Sequence, residues 1–371
     1  MEFRDLKKQY QVLKADMDKA VIEVMTDCNF ISGRQVKDLE EKLAEYVGVK
    51  HCITCGNGTD ALSMMLMAWG VGPGDAVFIP DFTFFATGEV VSFEGATPVF
   101  VDVDPDTYNM DPESLEQAIL AVEAEGELKA KVVIPVDLFG LPADYDRINE
   151  IAHSHGIKVL EDGAQGFGGL YKGRKACSLG DAATTSFFPA KPLGCYGDGG
   201  AIFTNSDQEA EYLRSIAVHG KGSYKYDNVR IGWNSRLDTI QAAILLVKFD
   251  AFTSYELEDV NKIASLYTET LKATVKTPLV PEGYYSSWAQ YTIQVKDEEE
   301  RTVLQRKLKE QGIPTMVYYP KPMHVQTAFK GLKQYVPCPV TERLCRTVVS
   351  LPMDPYIKNK ECMAISKVVT N

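Results

Sequence analysis

The chain has 371 residues, 45% hydrophobic and 10% aromatic, enough for a large core and, on length, for roughly two domains. Its formal net charge of −12 repels DNA, RNA and anionic membrane surfaces, so an anionic ligand has to be held by local donors. The charged start, Met1 to Tyr10, has no apolar signal core, and no apolar run reaches the ~18 residues of a spanning helix; with eight scattered cysteines, this predicts a cytoplasmic chain with reduced thiols.

The opening segment reads as a helix, with Leu13, Met17, Val21 and Val24 at helical spacing and an end near Asn29. After a turn at Phe30-Ile31-Ser32-Gly33, a second helix carries Val36, Leu39, Leu43 and Tyr46 on one face and stops at Gly48. Residues 51–55 form a short buried strand, Gly56-Asn57-Gly58 a loop, and a helix rich in Leu and Met starts at Thr59. The chain then alternates, with strands at 76–80, 97–102, 131–136 and 158–162 and helices at 83–93, 114–125 and 145–155. This rhythm predicts an α/β domain with a mostly parallel sheet flanked by helices, whose ligands collect beyond the carboxyl ends of the strands. Strands at 184–188 and 200–204 and a long helix from about 239 to 257 follow. Beyond Lys262 the pattern becomes α+β: a helix, a Pro/Gly-rich stretch at 278–283, a strand at 288–295, a helix at 300–311 and a strand at 315–319. The expected division is a large domain over 1–254 and a smaller C-terminal α+β domain over 255–371, with the first helix free to pack on the smaller one.

Four features carry chemistry. Gly56-Asn57-Gly58-Thr59-Asp60 joins a strand to a helix, where backbone approach and the helix dipole favour a phosphate, although many such turns are only turns. Its spacing matches neither GxxxxGK[ST] nor GxGxxG, which disfavours nucleotide-binding loops and an ordinary Rossmann oxidoreductase. Asp162 ends an apolar strand and faces a ligand site or caps a helix. Lys191 follows Ser186-Phe187-Phe188-Pro189-Ala190 and is hemmed by Pro192 and Gly194; it is either a solvated loop lysine or a desolvated amine able to form an imine. His219-Gly220 and Asn234-Ser235-Arg236-Leu237-Asp238 lead into the long helix, with Arg236 placed for a carboxylate or phosphate, or for an ion pair with Asp238. Cys52-x-x-Cys55 has no matching second pair and the five histidines lie far apart, so no metal site is expected. A GxSxG hydrolase elbow is missing.

Taken together, these motifs resemble the DegT/DnrJ/EryC1/StrS family of sugar aminotransferases, of the fold-type I pyridoxal-phosphate class. The similarity runs from Phe30-Ile31-Ser32-Gly33 through Gly58-Thr59-Asp60-Ala61-Leu62, Phe82-Thr83-Phe84, Ala86-Thr87 and Pro98-Val99-Phe100-Val101-Asp102. It continues through Glu161-Asp162 with Gln165, Ser186 to Lys191, Gly197-Asp198-Gly199-Gly200, Asn234 to Asp238 and Gln290-Tyr291. The resemblance implies pyridoxal 5'-phosphate as cofactor, carried by Lys191 as a Schiff base, with Lys191 also moving protons. It implies Asp162 at the pyridine nitrogen, Gln165 at the ring hydroxyl and Phe84 stacked on the ring. Gly58, Thr59, Asp60 and Ser186 would hold the phosphate, joined by Asn234 from the partner of a homodimer with shared sites. His219, Arg236, Tyr318 and Tyr319 would meet the substrates, an amino acid (L-glutamate) and a nucleotide-linked keto sugar. The stretch 185–200, with Pro192 after the lysine, is most similar to the branch that aminates C3 of UDP-3-keto sugars, including keto-glucuronic acids, for surface-polysaccharide or deoxyamino-sugar biosynthesis. A dTDP- or UDP-4-keto-sugar aminotransferase is the alternative. A dehydratase would carry His in place of Lys191, and a non-catalytic regulator would not need Lys191, Asp162 and Gln165 together. The longer stretch from Val122 to Lys131 departs from the family and is expected at the surface as a loop or helix extension.

Overall fold

The computed structural model describes residues 1–224 and 226–371. In chain order the elements begin α1 (Leu6–Asp27), α2 (Arg34–Val47), β1 (His51–Cys55), α3 (Gly58–Ala68), β2 (Asp75–Pro80), α4 (Ala86–Phe93) and β3 (Thr97–Val101). Next come α5 (Pro112–Glu125), β4 (Lys129–Val133), α6 (Tyr145–Ser154), β5 (Lys158–Asp162), β6 (Leu170–Tyr171), β7 (Arg174–Lys175), β8 (Ala182–Ser186) and β9 (Gly200–Thr204). The rest are α7 (Asp207–Ile216), α8 (Thr239–Ala251), α9 (Leu257–Leu271), β10 (Tyr284–Tyr285), β11 (Tyr291–Gln294), α10 (Glu298–Glu310), α11 (Pro339–Thr347), β12 (Val348–Leu351) and α12 (Asn359–Thr370).

The main sheet has seven strands in the order β1-β9-β8-β5-β4-β2-β3, with only β9 running against its neighbours. Alternation along each strand feeds both faces. In β2, Val77 and Ile79 join the layer under α3, α4 and α7, whereas Ala76 and Phe78 pack under α5 and α6. Further along that second face, Cys52, Ala183, Ala201 and Phe203 pack against Leu39 and Leu43 of α2 and Leu245 of α8. Burial on both faces explains why the strands read as continuous apolar runs. A separate core gathers α9, α10 and α12 over the β11–β12 pair, through Tyr267, Leu271, Tyr291, Ile293, Leu308, Val349 and Ile365. Helix α8 passes into α9 through one wide π-turn, Phe252–Glu256, so the backbone runs unbroken from one core to the other. Helix α1 packs along α8 and also meets the C-terminal region: Gln9 donates to Glu256 at 2.9 Å, and the Met353 amide to the Phe3 carbonyl at 3.2 Å. Among the described residues, no helix is long and apolar enough to cross a membrane.

Several expected elements shift. The helix expected from Thr83 begins at Ala86, because residues 83–85 form an entry turn. The strand expected at 131–136 is Lys129–Val133, since Pro135 has no amide for the ladder. The strand expected at 184–188 occupies Ala182–Ser186, and the one at 288–295 shrinks to Tyr291–Gln294, with Trp288 at positive φ before it. At 315–319 only a bridge forms, Met316 to Ser350; Pro314 and Pro320 bracket the segment and it turns away. Helices α7, α11 and α12 and strand β12 were not foreseen. The stretch after Val122 is a helix extension to Glu125 ending at a left-handed Gly126. Cys52 and Cys55 are buried strand residues, and of eight unpaired cysteines only Cys28 is exposed.

The C-terminal region also lies against the carboxyl edge of the large sheet. Asp102, just after β3, takes the Thr341 amide and hydroxyl at 2.9 Å each and the Val340 amide at 2.9 Å, capping the first turn of α11 from another element. Replacing Asp102 with Ala strands three donors, so a loss of about 3 kcal/mol is expected, read as a lower urea midpoint at unchanged slope.

Candidate active site

Beyond the carboxyl ends of β2, β4, β5 and β8 lies a cleft of about 830 Å³. Gly58, Thr59, Asp60, Phe84, Asp162, Gln165, Ser186, Lys191, Tyr318 and Tyr319 all line it. Residues more than 250 positions apart thus converge at one sheet edge, from strand ends and helix starts and from the loops beside them.

Asp162, the last residue of β5, is 4% exposed. Its Oδ2 accepts from the Thr87 hydroxyl at 3.0 Å and its Oδ1 from the Ala164 amide at 3.2 Å. Burial raises its pKa; the Ala164 amide, the Thr87 hydroxyl and the Lys191 charge oppose that rise. Lys191 shows the converse: burial lowers its pKa, Asp162 pulls it back up, and Arg4 pushes it down. An amine that sheds its proton more easily than a free lysine therefore shares the cleft with a carboxylate that two donors orient. Thr87 was missed as a site residue; its signal was the Ala86-Thr87 pair one turn beyond Phe84. Its hydroxyl also meets that of Thr83 at 3.1 Å.

Gln165 is locked at both ends, its Oε1 accepting from the Phe139 amide at 2.8 Å and its Nε2 donating to the Tyr319 hydroxyl at 3.2 Å. The second Nε2 hydrogen remains for a ligand. Tyr319 therefore stands beside Gln165, deeper than a purely substrate-facing residue. Phe84 is exposed in the cleft, 6.4 Å from the Tyr319 ring. Gln290, also missed, lines the cleft with a buried Oε1 that has no partner among the described residues.

At the start of α3, Asn57 caps the helix by accepting the Asp60 amide at 2.8 Å. That amide, expected among the phosphate donors, is thus already engaged. The Asp60 carboxylate instead takes the Ser235 hydroxyl at 2.6 Å, and Ser235 Oγ accepts the Gly56 amide at 2.8 Å. Among the described residues, no side chain caps the amides of Gly58 and Thr59. A Cβ on Gly58 would lie 2.8 Å from the Ser186 Cβ, and one on Gly200 would lie 2.5 Å from the Asn57 carbonyl, so the loop closes against β8 and β9 only without side chains there.

His219, Asn234 and Arg236 do not line this cleft. His219 and Asn234 are exposed on an arm of the chain, where the His219 amide donates to the Trp233 carbonyl at 2.7 Å. Arg236 donates to Asn234 Oδ1 and borders a separate groove beside α2 and α7. The arm carries Tyr224, Tyr226, Val229 and Ile231, all exposed.

The DegT/DnrJ/EryC1/StrS aminotransferase family model matches residues 11–370. The chain belongs to that family. Among its relatives, the UDP-2-acetamido-2-deoxy-3-oxo-D-glucuronate aminotransferase of Pseudomonas aeruginosa is 46% identical over 372 residues, covering all of both chains. The pleiotropic regulatory protein of Geobacillus stearothermophilus is 46% identical over 362 residues, 96% of this chain and 94% of its own. A DegT/DnrJ/EryC1/StrS aminotransferase structure from Brucella abortus superposes with a TM-score of 0.97 at 50% identity, covering 100% and 98% of the two chains. NtdA from Bacillus subtilis, solved with the cofactor PMP bound, gives a TM-score of 0.86 at 29% identity, covering 97% and 82%. The chain is therefore a fold-type I, PLP-dependent aminotransferase.

The residues present fit that cofactor. A carboxylate held by two donors, a desolvated amine and a helix start closed by glycine sit in one cleft. Behind Asp162 lies a second carboxyl pair. Glu161, its neighbour in β5, accepts from the amides of Cys177 and of Leu179, the latter at 2.7 Å. Asp137 accepts from the Tyr145 hydroxyl at 2.9 Å and the Ala143 amide at 3.2 Å, while its buried Oδ2 has no donor among the described residues. Burial raises both pKa values, and the charge of Glu161 raises that of Asp137 further. The Asp137 amide in turn holds the Asp162 carbonyl at 3.1 Å.

Two outcomes follow. Gly58→Ala should push the loop away from Ser186, at some cost in stability, and bind PLP on the order of tenfold more weakly, measured by titrating cofactor into the apoprotein. In the Asp137–Glu161 pair the folded state binds a proton that unfolded carboxyls release above about pH 4. This pair's contribution to stability therefore falls as pH rises toward the raised pKa. Asp137→Asn removes one titrating carboxyl from the pair, so its stability should gain on wild type between about pH 5 and about pH 7, where burial pushes Glu161 up to about 7, in paired urea unfolding series.

Proposed function

We propose that this enzyme transfers the amino group of L-glutamate to C3 of a UDP-linked 3-keto sugar in the cytoplasm, for surface-polysaccharide or deoxyamino-sugar biosynthesis. The observation that carries the catalytic part is the half-buried Lys191, its amine pKa lowered by desolvation, sharing its cleft with the buried carboxylate of Asp162. The substrate rests on full-length similarity to a relative named for a UDP-3-oxo-glucuronate derivative. Eight unpaired thiols fit a reducing compartment. When bound, PLP supplies an electrophilic carbon and an electron sink.

The chain's own residues do the rest. Lys191 would anchor the cofactor and, once free, would hold and pass the proton taken from the donor or given to the sugar carbon. Asp162, held by Thr87 and Ala164, would keep the ring nitrogen protonated. Gln165 would fix the ring hydroxyl, Phe84 would cover the ring face, and Thr59, the Gly58 amide and Ser186 would hold the phosphate. Tyr318 and Tyr319 form the substrate-facing wall. The reading further includes a homodimer, with the arm that bears His219, Asn234 and Arg236 completing the partner's cleft. Two features support this: the arm's exposed Tyr224, Val229 and Ile231, and the exposed Phe84 and Phe188 at the cleft. Arg236 is then placed for a carboxylate of the donor or of a sugar acid.

Lys191→Ala should lose the absorbance of lysine-bound cofactor and all turnover; an active variant removes Lys191 from the chemistry. Asp162→Asn should fold but slow both half-reactions on the order of a hundredfold or more, measured by stopped-flow absorbance. Offered UDP- and dTDP-linked 3-keto and 4-keto sugars, the pyridoxamine-loaded enzyme should react fastest with the UDP-3-keto compound; preference for a 4-keto sugar overturns the C3 assignment.

A further inference from the structure

One wall of the cleft, residues 318–326, belongs to no strand or long helix. Tyr318, Tyr319, Lys321 and Gln326 line the cleft from it. A segment of this kind needs an anchor, because fixing each of its residues costs conformational entropy that no backbone ladder returns.

That anchor is Asp81, the residue after β2, which has no solvent exposure. Its Oδ2 accepts from His324 Nδ1 at 2.6 Å and its Oδ1 from the His324 amide at 2.8 Å. Its carbonyl takes the Met323 amide at 3.0 Å, and its own amide is bonded to the Val101 carbonyl at 2.8 Å. One buried carboxylate thus grips His324 twice while its backbone stays in the sheet. On the far side, His324 Nε2 lies 3.9 Å from Glu342 of α11. The bond to Asp81 raises the pKa of His324, and burial only partly opposes it. Next to it, Met323 and Phe329 plug the apolar layer over α4; a Cβ on Gly88 would lie 2.8 Å from the Met323 Cε.

The chain leaving Asp81 runs directly into Phe82, Thr83 and Phe84. The same residue therefore starts the turn that carries the ring-facing Phe84 and fastens the wall that carries Tyr318, Tyr319 and Lys321. We propose that His324, through Asp81, is the positioning residue for the keto-sugar half-reaction: it touches neither cofactor nor substrate, but sets the distance between the sugar-facing wall and the cofactor cleft. The inference rests on the amino-sugar reading above. The acid half-reaction, with a small donor, needs the cofactor residues but not the outer wall, so the two half-reactions should separate.

The test measures each half-reaction of the holoenzyme by single-turnover absorbance, L-glutamate against the PLP form and a UDP-3-keto sugar against the pyridoxamine form. His324→Ala should raise the apparent KM for the sugar on the order of tenfold or more, with the glutamate half-reaction within about twofold of wild type. His324→Asn, whose amide nitrogen can take the place of Nδ1, should restore most of the affinity; His324→Gln, which places its amide one bond farther out, should not. An unchanged sugar KM in His324→Ala, or equal losses in both half-reactions, overturns the proposal. If His324→Ala does not fold, equal KM values for the Asn and Gln variants overturn it. A wild type that turns over no keto sugar overturns the functional reading and this proposal together, whereas normal wild-type turnover with an indifferent His324 overturns the proposal alone.

Discussion

A buried carboxylate and a half-buried amine facing one cleft at the sheet edge set the terms for the rest of this molecule. Desolvation penalises the charged form of both Asp162 and Lys191, and each partly restores the charge of the other. Such a pair persists only where the remaining lone pairs are satisfied and the geometry is stiff. Thr87 and the Ala164 amide meet the first need. The second is met by the strands themselves, both of whose faces are buried under helices, so that the end of β5 has nowhere to move.

The same device recurs along the edge. Asp81, Asp102, Asp137 and Asp162 each stand at or a few residues past the end of a parallel strand and bind a backbone amide: Asp81 and Asp102 reach distant C-terminal segments, whereas Asp137 and Asp162 hold the loops that follow them. In an open parallel sheet the strand ends are where the backbone runs out of ladder partners, and carboxylates there can organise incoming segments without disturbing the core. Two of these residues fasten C-terminal segments, one is buried near Glu161, and one faces the cleft. Position along the sheet edge, more than residue type, separates their roles.

Much of this was legible in the residues. The βα rhythm marked the strands because buried parallel strands are apolar throughout, and the polar residue that ends each run, Asp162 above all, fell where ligands collect. Lys191 was legible from its Pro and Gly surroundings together with the family motifs. What could not be read was whatever depends on a distant partner. Thr87 looks like one helix residue among many until Asp162 is placed beside it. The Asp60 amide looked available until Asn57 proved to be its cap. The strand expected at 315–319 has suitable β-branched and aromatic residues, but its ladder ends at Met316 and the wall is held instead by Asp81, more than 240 positions earlier. Helix α11 is short, and its cap comes from Asp102 rather than from its own flank.

The π-turn at Phe252–Glu256 explains why the boundary between the two cores leaves so faint a mark. The apolar stripe of α8, with Ala242, Leu245 and Phe249, runs on through Phe252 and Leu257, past the buried Glu256, into Val260, Ile263 and Tyr267 of α9. One widened ring of hydrogen bonds changes the heading of the rod, and the stripe passes from one interior to the other. Because the two interiors are threaded on a single continuous rod and tied again at Asp81 and Asp102, they are joined by packed, hydrogen-bonded structure and not by a slack linker.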